Sequence, residues 1–599
     1  MPSGAIRGDG EVASPTNQYA HSFAALAIGL TADLEESSDL WDHAERAVRY
    51  SIGVPQPALK LQEFNSLALL MLTGVVRDSH IAPAALKATL DSLVRERSFL
   101  YDGGRQVSNN WLAMRAVSFL MRARLTGDEE CGRRGEALIR ETLDRQLQDG
   151  VFVDYPIKPL NNFATPLTYH AKTCAMLVLA AEYSQQKEVL QALERGLRAL
   201  CGLMSPAGDC LFYGRSCNSL FGLAAAYLAL HSAGRLIPDC AWDSAAQRIS
   251  SRLTLLQEED GHFRLTPGRD ETRRFGWDVY YHVEVYNAYA AALLLYARGS
   301  TSAPNASTID ASAKAGTECF SLPNAGLLAV RRPGFFAAFS TKGQCALDGS
   351  SLFCDMRYSG MQPLLIERDH LLQIPEPPLL WTGPQSKAEA VSPGNTGFLP
   401  YILWRNREYC ARVYEQVKET SGEGWHGISG RGSAISLSLP SRLVRLIRRL
   451  RGKLTGHGDL AFTPDVLADL TITRTVIVCA AKHALLFIDG FEGEMPDSAV
   501  WQGPNARLMT GADMIVHSVL DGRRLEHHGT VPTSQGDAEL YTCVPMRAAP
   551  PAQGVVSVIV CAPGEIGVKA IPDGHLVNIL LDDLHLCLNL KTKAIETPI

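Results

Sequence analysis

The stretch GSTSAPNASTIDASAKAGT, residues 299–317, decides how the chain is organised. It consists mainly of small and polar residues, and such a composition is typical of a linker because it cannot bury apolar surface. The hydrophobic pattern differs on its two sides. We therefore predict a domain at 20–298, a linker at 299–317 and a second domain at 318–599.

The two sides favour different secondary structure. Before the linker, segments such as AMRAVSFLMRARL (113–125) and SLFGLAAAYLALHSA (219–233) are rich in Ala and Leu at helical spacing. After it come short β-branched runs such as TITRTVIVCA (471–480) and GVVSVIVCA (554–562), separated by turn residues. The pattern predicts a helical N-terminal half followed by an antiparallel β-sandwich.

The helical half also repeats. A turn with adjacent Asp and Gly recurs every ~50 residues, preceded by a more polar helix and followed by an apolar, Ala-rich one. The turns are Asp102-Gly103, Asp149-Gly150, Gly208-Asp209 and Asp260-Gly261. Such units stack into an open solenoid or a closed α/α toroid, and about five or six units suit closure. We predict the toroid, with an irregular helical bundle as the alternative.

Composition narrows the class of protein. The chain has 599 residues, 46% of them hydrophobic and 20% charged, which is typical of a globular protein. Its net charge of -6 disfavours a general nucleic-acid binder. The 14 cysteines form no CxxC pair and no Cys/His cluster at zinc spacing, so we expect a reducing compartment, no metal and no cofactor.

We also examined the sequence for a signal peptide and a transmembrane segment. The N-terminus has no basic region followed by an apolar one, so we expect no signal peptide and a cytoplasmic location, with a periplasmic or secreted protein as the alternative. No apolar run reaches the ~18 residues that cross a bilayer, so we expect no transmembrane segment. The oligomeric state stays open.

Polar residues gather where each apolar helix begins. If the units are equivalent, these clusters lie at one end of the toroid and line one pocket. They are the segments Gln62–Asn65, Ser108–Trp111, Thr168–Lys172, Tyr213–Asn218 and Trp277–Glu284.

Each member also has a structural explanation. Asn110 could cap a helix, and His170 could be a buried, satisfied histidine. Tyr169 and His170 point roughly 100° apart on a helix, so they need not both face the pocket. Tyr213 and Arg215 could simply pack a turn.

The residue types favour one chemistry. Abstraction of a proton beside a uronate carboxylate requires donors that neutralise the enolate charge, and a Tyr or His base near a cation. Asn110, Tyr169, His170, Tyr213 and Arg215 match that set, and they are our candidate catalytic residues.

Two other functions stay open. A glycoside hydrolase needs a pair of carboxylates, but Glu63, Asp154, Asp278 and Glu284 show no privileged spacing. A carbohydrate-binding scaffold without catalysis is the third possibility.

A helical toroid with DG turns followed by an all-β half resembles the polysaccharide lyases of the heparinase and alginate-lyase type. SNNWLAMRA (108–116) looks like their inner-helix motif with the Asn that contacts the uronate carboxylate. DGVFVDYPIKPLNNFATPLTYHAK (149–172) is similar to the stretch that leads to their Tyr/His pair, and ITRTVIVCAAKHALLFIDGFEGE (472–494) looks like a strand pair of their sandwich. The resemblance implies β-elimination on an acidic polysaccharide or oligosaccharide, giving a 4,5-unsaturated uronate.

One stretch departs from the family pattern. Many members carry an H-x-H-x-D-like segment early in the sandwich, tied to a metal or to the active site. Here LDGSSLFCDMRYSGMQPLLIERDH (347–370) has no paired histidines, which argues against a metal. Arg357 or Tyr358 could still reach the pocket from the sandwich.

These considerations assign roles. Asn110 is expected to bind the substrate carboxylate, with His170 or Arg215 sharing its charge. Tyr169 is expected to remove the C5 proton, and Tyr169 or Tyr213 to protonate the leaving oxygen. The residues expected to line the substrate site are Asn65, Trp111, Lys172, Asn218, Trp277, Tyr281, His282, Arg357 and Tyr358.

A separate segment, SRLVRLIRRLRGK (441–453), predicts a basic amphipathic helix. It could contact an anionic polymer or a membrane surface. Alternatively, it is a solvated helix whose apolar side packs on the sandwich.

Overall fold

The structure is a computed structural model of the chain. It describes residues 7–8, 11–12, 19–53, 62–101, 108–154, 165–184, 186–214, 216–267, 283–299, 317–344, 358–369, 371–372, 399–436, 442–455, 465–504, 508–510, 514–518, 525–533, 536–543, 554–563, 566–573, 576–589 and 594–596.

The N-terminal half is helical, as predicted. A short strand pair, β1 (Arg7–Gly8) and β2 (Glu11–Val12), precedes the helices. The helices are α1 (Ala20–Leu34), α2 (Ser38–Ile52), α3 (Gln62–Asp78), α4 (Ala84–Arg95), α5 (Asn109–Thr126), α6 (Glu129–Leu143), α7 (Leu167–Ala181), α8 (Glu188–Gly202), α9 (Leu220–Leu236), α10 (Cys240–Leu256) and α11 (Val283–Gly299).

The odd-numbered helices form a closed inner ring. Each packs on the next in the order α1, α3, α5, α7, α9, α11, and α11 packs back on α1. Inner helices such as α7 are buried on nearly every side, whereas the outer helix α8 buries one face. A helix that is apolar all round needs such a fully buried position. The predicted α/α toroid is confirmed.

Tight glycine turns follow the outer helices α6 and α8. Gly150 and Gly208 have φ of 95° and 90°, a conformation that favours glycine. A Cβ on Gly150 would lie 2.4 Å from the Arg195 carbonyl oxygen, and one on Gly208 would lie 2.5 Å from that of Arg248. The Asp102-Gly103 turn lies outside the described residues.

The inner helices all run in the same direction. Residues near their first turns, including Tyr19, Phe64, Phe221 and Tyr289, contact one another across the ring. We call the end where the inner helices begin the N-terminal mouth, and the opposite end the C-terminal mouth.

After α11, the described residues form strands with their connecting turns, apart from α12 (Arg442–Thr455) and short 3-10 turns. The strands are β3 (Glu318–Leu322), β4 (Leu327–Arg332), β5 (Phe335–Ser340), β6 (Gln362–Arg368), β7 (Leu371–Leu372), β8 (Pro400–Trp404), β9 (Arg407–Cys410), β10 (Glu415–Gly422), β11 (Trp425–Ser436), β12 (Val466–Cys479), β13 (Ala484–Gly493), β14 (Val500–Pro504), β15 (Leu508–Thr510), β16 (Met514–Ser518), β17 (Leu525–Thr533), β18 (Gly536–Cys543), β19 (Gly554–Pro563), β20 (Val568–Asp573), β21 (Leu576–Leu581), β22 (Leu584–Asn589) and β23 (Ala594–Glu596). The last ring helix ends at Gly299 and the first of these strands begins at Glu318.

The described strands pair antiparallel. A five-stranded sheet runs β3-β4-β5-β6-β7, and a nine-stranded sheet runs β14-β8-β9-β11-β12-β13-β19-β16 with β10 paired to β11. A three-stranded sheet, β15-β18-β17, and a four-stranded sheet, β20 to β23, complete the half.

The sheets stack in layers because neighbouring side chains of a strand face opposite ways. In β4, Leu328 packs towards the nine-stranded sheet, whereas Leu327 belongs to the core of the toroid. In β12, Val476 faces the five-stranded sheet, while Ile477 packs towards the four-stranded sheet. The predicted antiparallel sandwich is confirmed, and it carries a further sheet on its outer side.

The five-stranded sheet lies against the N-terminal mouth. Arg331 donates hydrogen bonds to the carbonyl oxygens of Cys201, Gly202 and Met204 at 2.6 to 2.8 Å, which satisfies the free carbonyls where α8 ends. The Gln344 amide oxygen accepts from the Thr165 backbone N–H at 2.7 Å. This mouth is therefore formed by both halves of the chain. None of the described helices is long and apolar enough to cross a membrane.

Candidate functional site at the N-terminal mouth

A buried polar network occupies this mouth. Asn110 Nδ2 donates to Asp154 Oδ1 at 2.7 Å and to Ser108 Oγ at 2.9 Å, while its Oδ1 accepts from Lys172 Nζ at 3.1 Å. Asn110, Asp154 and Lys172 are each at most 2% exposed. The N-cap residue of α5 is Ser108, so Asn110 does not cap this helix. Its side chain instead joins α5 to α7 and to the residues after the Gly150 turn.

Lys172 is a cation in unusual surroundings. Its Nζ lies 3.9 Å from the ring centroid of Phe64 and 5.4 Å from that of Phe221. Burial lowers the pKa of Lys172 to about 7, although the negative charges of Asp154 and Glu63 oppose the shift. Near neutral pH this lysine is therefore poised between its charged and neutral forms.

A second buried pair lies beside it. Arg115 Nη2 is 2.6 Å from Glu63 Oε1, and the Arg115 guanidinium lies 4.5 Å from the ring centroid of Tyr101. Removing one partner would leave the other charge buried and unpaired. Nearby, Ser22 Oγ donates to Asn65 Oδ1, so Asn65 joins α3 to α1.

Aromatic rings surround this network. Tyr19 stacks on Phe64 with centroids 4.2 Å apart, and Trp111 meets the edge of Phe64 at 5.4 Å. Trp111 is only half-buried, so part of its ring remains accessible. An accessible indole is a suitable surface for a sugar ring, the role predicted for Trp111.

Tyr169 and His170 face different ways on α7. Tyr169 is half-buried and lies three residues before Lys172, which places both on one face of the helix. His170 is buried: its Nδ1 accepts from the Phe152 backbone N–H at 3.1 Å, and its Nε2 lies 3.0 Å from the Gly196 carbonyl oxygen. Burial lowers the pKa of His170 to about 4, against the effect of the Gly196 carbonyl, so the ring is neutral at physiological pH.

The contact of His170 recurs in other units. Asn218 Oδ1 accepts from the Leu211 backbone N–H at 3.1 Å, and Asn287 Oδ1 accepts from that of Phe263 at 2.7 Å. In three units, therefore, a side chain at or just before the start of an inner helix holds the strand-like segment after the turn. These contacts give His170 and Asn218 a structural role, and their predicted roles in binding substrate stay predictions.

Two tyrosines meet where the toroid contacts the sandwich. The rings of Tyr213 and Tyr358 lie 5.6 Å apart, nearly perpendicular, and each is 1% exposed. A Cβ on Gly214 would lie 2.7 Å from the Tyr358 ring. Tyr358 therefore reaches the N-terminal mouth from the sandwich side. Other predicted site residues lie outside the described residues: Arg215, Trp277, Tyr281, His282 and Arg357.

Within the described part of the chain, one group of three side chains has the composition of a metal site. The Cys319 Sγ and the Glu419 Oε2 each lie 3.6 Å from the His426 Nε2. Sulfur, imidazole and carboxylate donors suit zinc. The group lies between β3 and the β10–β11 hairpin, in the β half of the chain. Its ligands are far apart in sequence, so no local cysteine spacing could predict it.

The C-terminal mouth holds a cavity of about 1400 Å³. Side chains at the ends of the inner helices line it, among them Tyr183, Tyr227, His231 and Tyr296. The cavity is thus at the end opposite Lys172. We place the candidate site at the N-terminal mouth because the buried Asn110–Asp154–Lys172 network and its lowered lysine pKa lie there, beside the half-buried Trp111 and Tyr169.

No family model matches this sequence, and no curated protein matches it. Among solved structures, the crystal structure of heparinase III has a TM-score of 0.55 and 11% identity, over 97% of this chain and 86% of that one. The heparan sulfate lyase HepC from Pedobacter heparinus has a TM-score of 0.48 and 11% identity, over 94% and 81% of the two chains. At this identity, the likeness to heparinase III shows a shared fold: a helical toroid followed by antiparallel sheets.

Proposed function

We propose that this protein is a polysaccharide lyase that cleaves an acidic, uronate-containing polysaccharide or oligosaccharide by β-elimination at the N-terminal mouth. The observation that carries the proposal is the buried hydrogen bond from Lys172 to Asn110. Lys172 lies on the same face of α7 as Tyr169. This arrangement occurs in a fold that heparinase III shares.

The electrostatics of this mouth suit an acidic substrate. Six inner helices begin there, and helix N-termini attract anions through their free N–H groups and partial positive charge. The Lys172 ammonium adds a full charge when protonated. A protein with a net charge of -6 thus presents a local site for a carboxylate.

The reaction needs a base, a charge acceptor and an acid. In the proposed step the Tyr169 phenolate removes the C5 proton, and the C–H electrons form the enolate of the substrate carboxylate. The Asn110 amide and the Lys172 ammonium stabilise that charge. The electrons then form the C4–C5 double bond as the C4–O bond breaks, and the hydroxyl of Tyr169 or Tyr213 gives a proton to the leaving oxygen.

The network must rearrange slightly to bind substrate. Both amide protons of Asn110 are directed at Asp154 and Ser108. A substrate carboxylate takes the place of the Ser108 hydroxyl, the weaker of these two acceptors because it is neutral. Asp154 then keeps the amide in position.

A tyrosine needs a neighbouring cation to act as a base at neutral pH. Lys172 meets that need because it lies one helical turn from Tyr169. Lys172 therefore takes the charge-sharing role first assigned to His170. Arg215, the other candidate cation, lies outside the described residues.

The decisive experiment incubates the full chain with a panel of uronate-containing glycans and follows the ultraviolet absorbance of the conjugated double bond. A rise in absorbance together with new chain ends supports the lyase. New reducing ends without that absorbance would contradict it in favour of a hydrolase, for which Asp154, Asp278 and Glu284 are the carboxylates to test. Binding without any cleavage would point to a carbohydrate-binding scaffold.

A further inference from the structure

The helix α12 presents its apolar side chains to solvent. Leu443, Leu446, Ile447, Leu450 and Leu454 are 53% to 88% exposed. Their spacing puts them on one face of the helix. A contiguous apolar patch of this kind marks an interaction surface, whereas single exposed apolar residues do not.

Arg448, on the side of α12 opposite these residues, faces the protein. Arg448 Nη2 lies 2.7 Å from Asp465 Oδ1, and the other oxygen of Asp465 lies 2.6 Å from Arg407 Nη1. This anchoring turns the apolar face outwards. The alternative drawn from the sequence, a helix packed on the sandwich by its apolar side, is therefore wrong.

The charged residues of α12 are all basic. The helix, RLVRLIRRLRGKLT, carries five arginines and one lysine but no carboxylate, in a chain whose net charge is -6. Two copies that met through this face would bring two cationic helices together. An acidic polymer would satisfy the charges but leave the five exposed apolar side chains in water. An anionic lipid surface satisfies both features at once.

We propose that α12 binds the surface of an anionic phospholipid bilayer. The helix lies in the plane of the interface, with its leucines between the acyl chains and arginines beside the apolar face, such as the exposed Arg451, on the lipid phosphates.

This inference is independent of the proposed lyase activity. The helix connects β11 and β12 of the nine-stranded sheet, and the five-stranded sheet lies between that sheet and the N-terminal mouth. Membrane binding therefore uses a part of the chain that the proposed lyase step does not.

The test uses the full chain and sedimentation with vesicles of phosphatidylcholine alone or mixed with phosphatidylglycerol. We expect binding to the mixed vesicles, weakened by salt because lipid charge contributes, and little binding to the neutral ones. The double variant Ile447→Ser/Leu450→Ser should bind on the order of a hundredfold more weakly, since each buried methylene contributes to partitioning. Leu255→Ser, at a 63% exposed leucine on α10, is the matched control and should bind like the wild type.

Because the substituted side chains are exposed, the variants should keep the wild-type circular dichroism spectrum and Tm. Equal vesicle binding by the double variant and the wild type would overturn the proposal. So would a wild-type protein that does not bind anionic vesicles. The wild type could instead form a dimer in sedimentation velocity and bind no vesicles, while the double variant stays monomeric. That outcome would assign the face to a second copy of the chain.

Discussion

The two mouths of the helical ring hold their charges differently. At the C-terminal mouth, four inner helices carry an arginine in the last turn: Arg77, Arg124, Arg235 and Arg298. Helix C-termini carry partial negative charge, so these cations stabilise the ring and need no ligand to explain them. At the N-terminal mouth, Lys172 is a buried cation near the positive ends of six helices, where the helix dipoles oppose it.

This contrast separates structural charge from functional charge. The cavity of about 1400 Å³ lies at the C-terminal mouth, and the four arginines in the last turns of the inner helices each offset a helix end. Lys172 offsets no helix end: its ammonium donates to the neutral amide of Asn110, and the carboxylates of Asp154 and Glu63 compensate its burial only in part. A costly charge that the fold retains is a better guide to the site than a large cavity.

The largest expected effect comes from the base. Tyr169→Phe should lower kcat by about a hundred- to ten-thousand-fold while binding stays close to normal, because the variant lacks the hydroxyl that moves the proton. The assay is the ultraviolet rate on the best glycan. Tyr227→Phe, at the C-terminal mouth, is the matched control and should keep wild-type kcat. An equal loss of kcat in the two variants would contradict the placement of the active site at the N-terminal mouth.

The amide should come next. Asn110→Ala should lower kcat by about a hundred- to a thousandfold, the usual effect of losing one preorganised donor to a developing negative charge. Arg124→Gln at the C-terminal mouth should leave kcat unchanged, since Arg124 is exposed and offsets a helix end. Glycan cleavage that depends on Arg124 and not on Asn110 would move the active site to the other end of the ring.

The buried lysine should give a pH signature. Its pKa falls from the usual 10.5 to about 7 on folding, so between these values the unfolded chain holds a proton that the folded chain has released. Its contribution to the free energy of unfolding should therefore rise with pH above 7, by about 1.4 kcal/mol per unit at most. Denaturant unfolding of the wild type and Lys172→Met at pH 7, 8 and 9 measures this slope. Parallel curves for the two proteins would show that Lys172 keeps its proton.

His170 should affect stability more than rate. His170→Ala removes the acceptor for the Phe152 N–H and should lower the free energy of unfolding by about 1–3 kcal/mol. His170→Asn should lose less, because Asn218 and Asn287 make the same contact elsewhere in the ring. Thermal unfolding and kcat of both variants test this. A fall in kcat of the size expected for Tyr169→Phe would restore His170 to the catalytic set.

The same residue predicts acid sensitivity. The pKa of His170 falls from 6.5 to about 4 on folding, so its contribution to stability is complete above pH 6.5 and is lost as pH falls towards 4. The difference in stability between wild type and His170→Asn should shrink over that interval.

Chelation should have the smallest effect. The proposed step uses side chains of this chain, and the Cys319, Glu419 and His426 group lies in the β half. Treatment with a chelator should therefore leave kcat unchanged, as measured by the ultraviolet rate. A fall in kcat that zinc reverses would contradict the expectation of a metal-free enzyme.

The fold could be predicted because its signals are local and repeated. The Ala-rich periodicity of α7 and α9, the glycine turns and the composition of residues 299–317 each depend on neighbouring residues alone. The order in which the inner helices pack on one another follows once the units are recognised as equivalent.

The site could be predicted only in part, because its contacts join distant segments. Asn110 could be identified by its type and place, but its bond to Asp154 crosses from one unit to the next. The surroundings that lower the pKa of Lys172 include Phe64 and Phe221, which come from two other helices. The contacts of His170 could not be predicted, because its partners are backbone groups, which the sequence does not distinguish.

The contact between α11 and α1 also governs how the protein is made. In an open solenoid each unit can fold on the one before it, and the two ends need polar caps. Of the ring helices, α1 is synthesised first and its partner α11 last. The apolar surface of α1 that packs on α11 therefore stays exposed until most of the toroid has been synthesised. Closure then removes both ends together, which makes the ring one cooperative unit: deleting α1 would expose apolar surface on α3 and α11 at the same time.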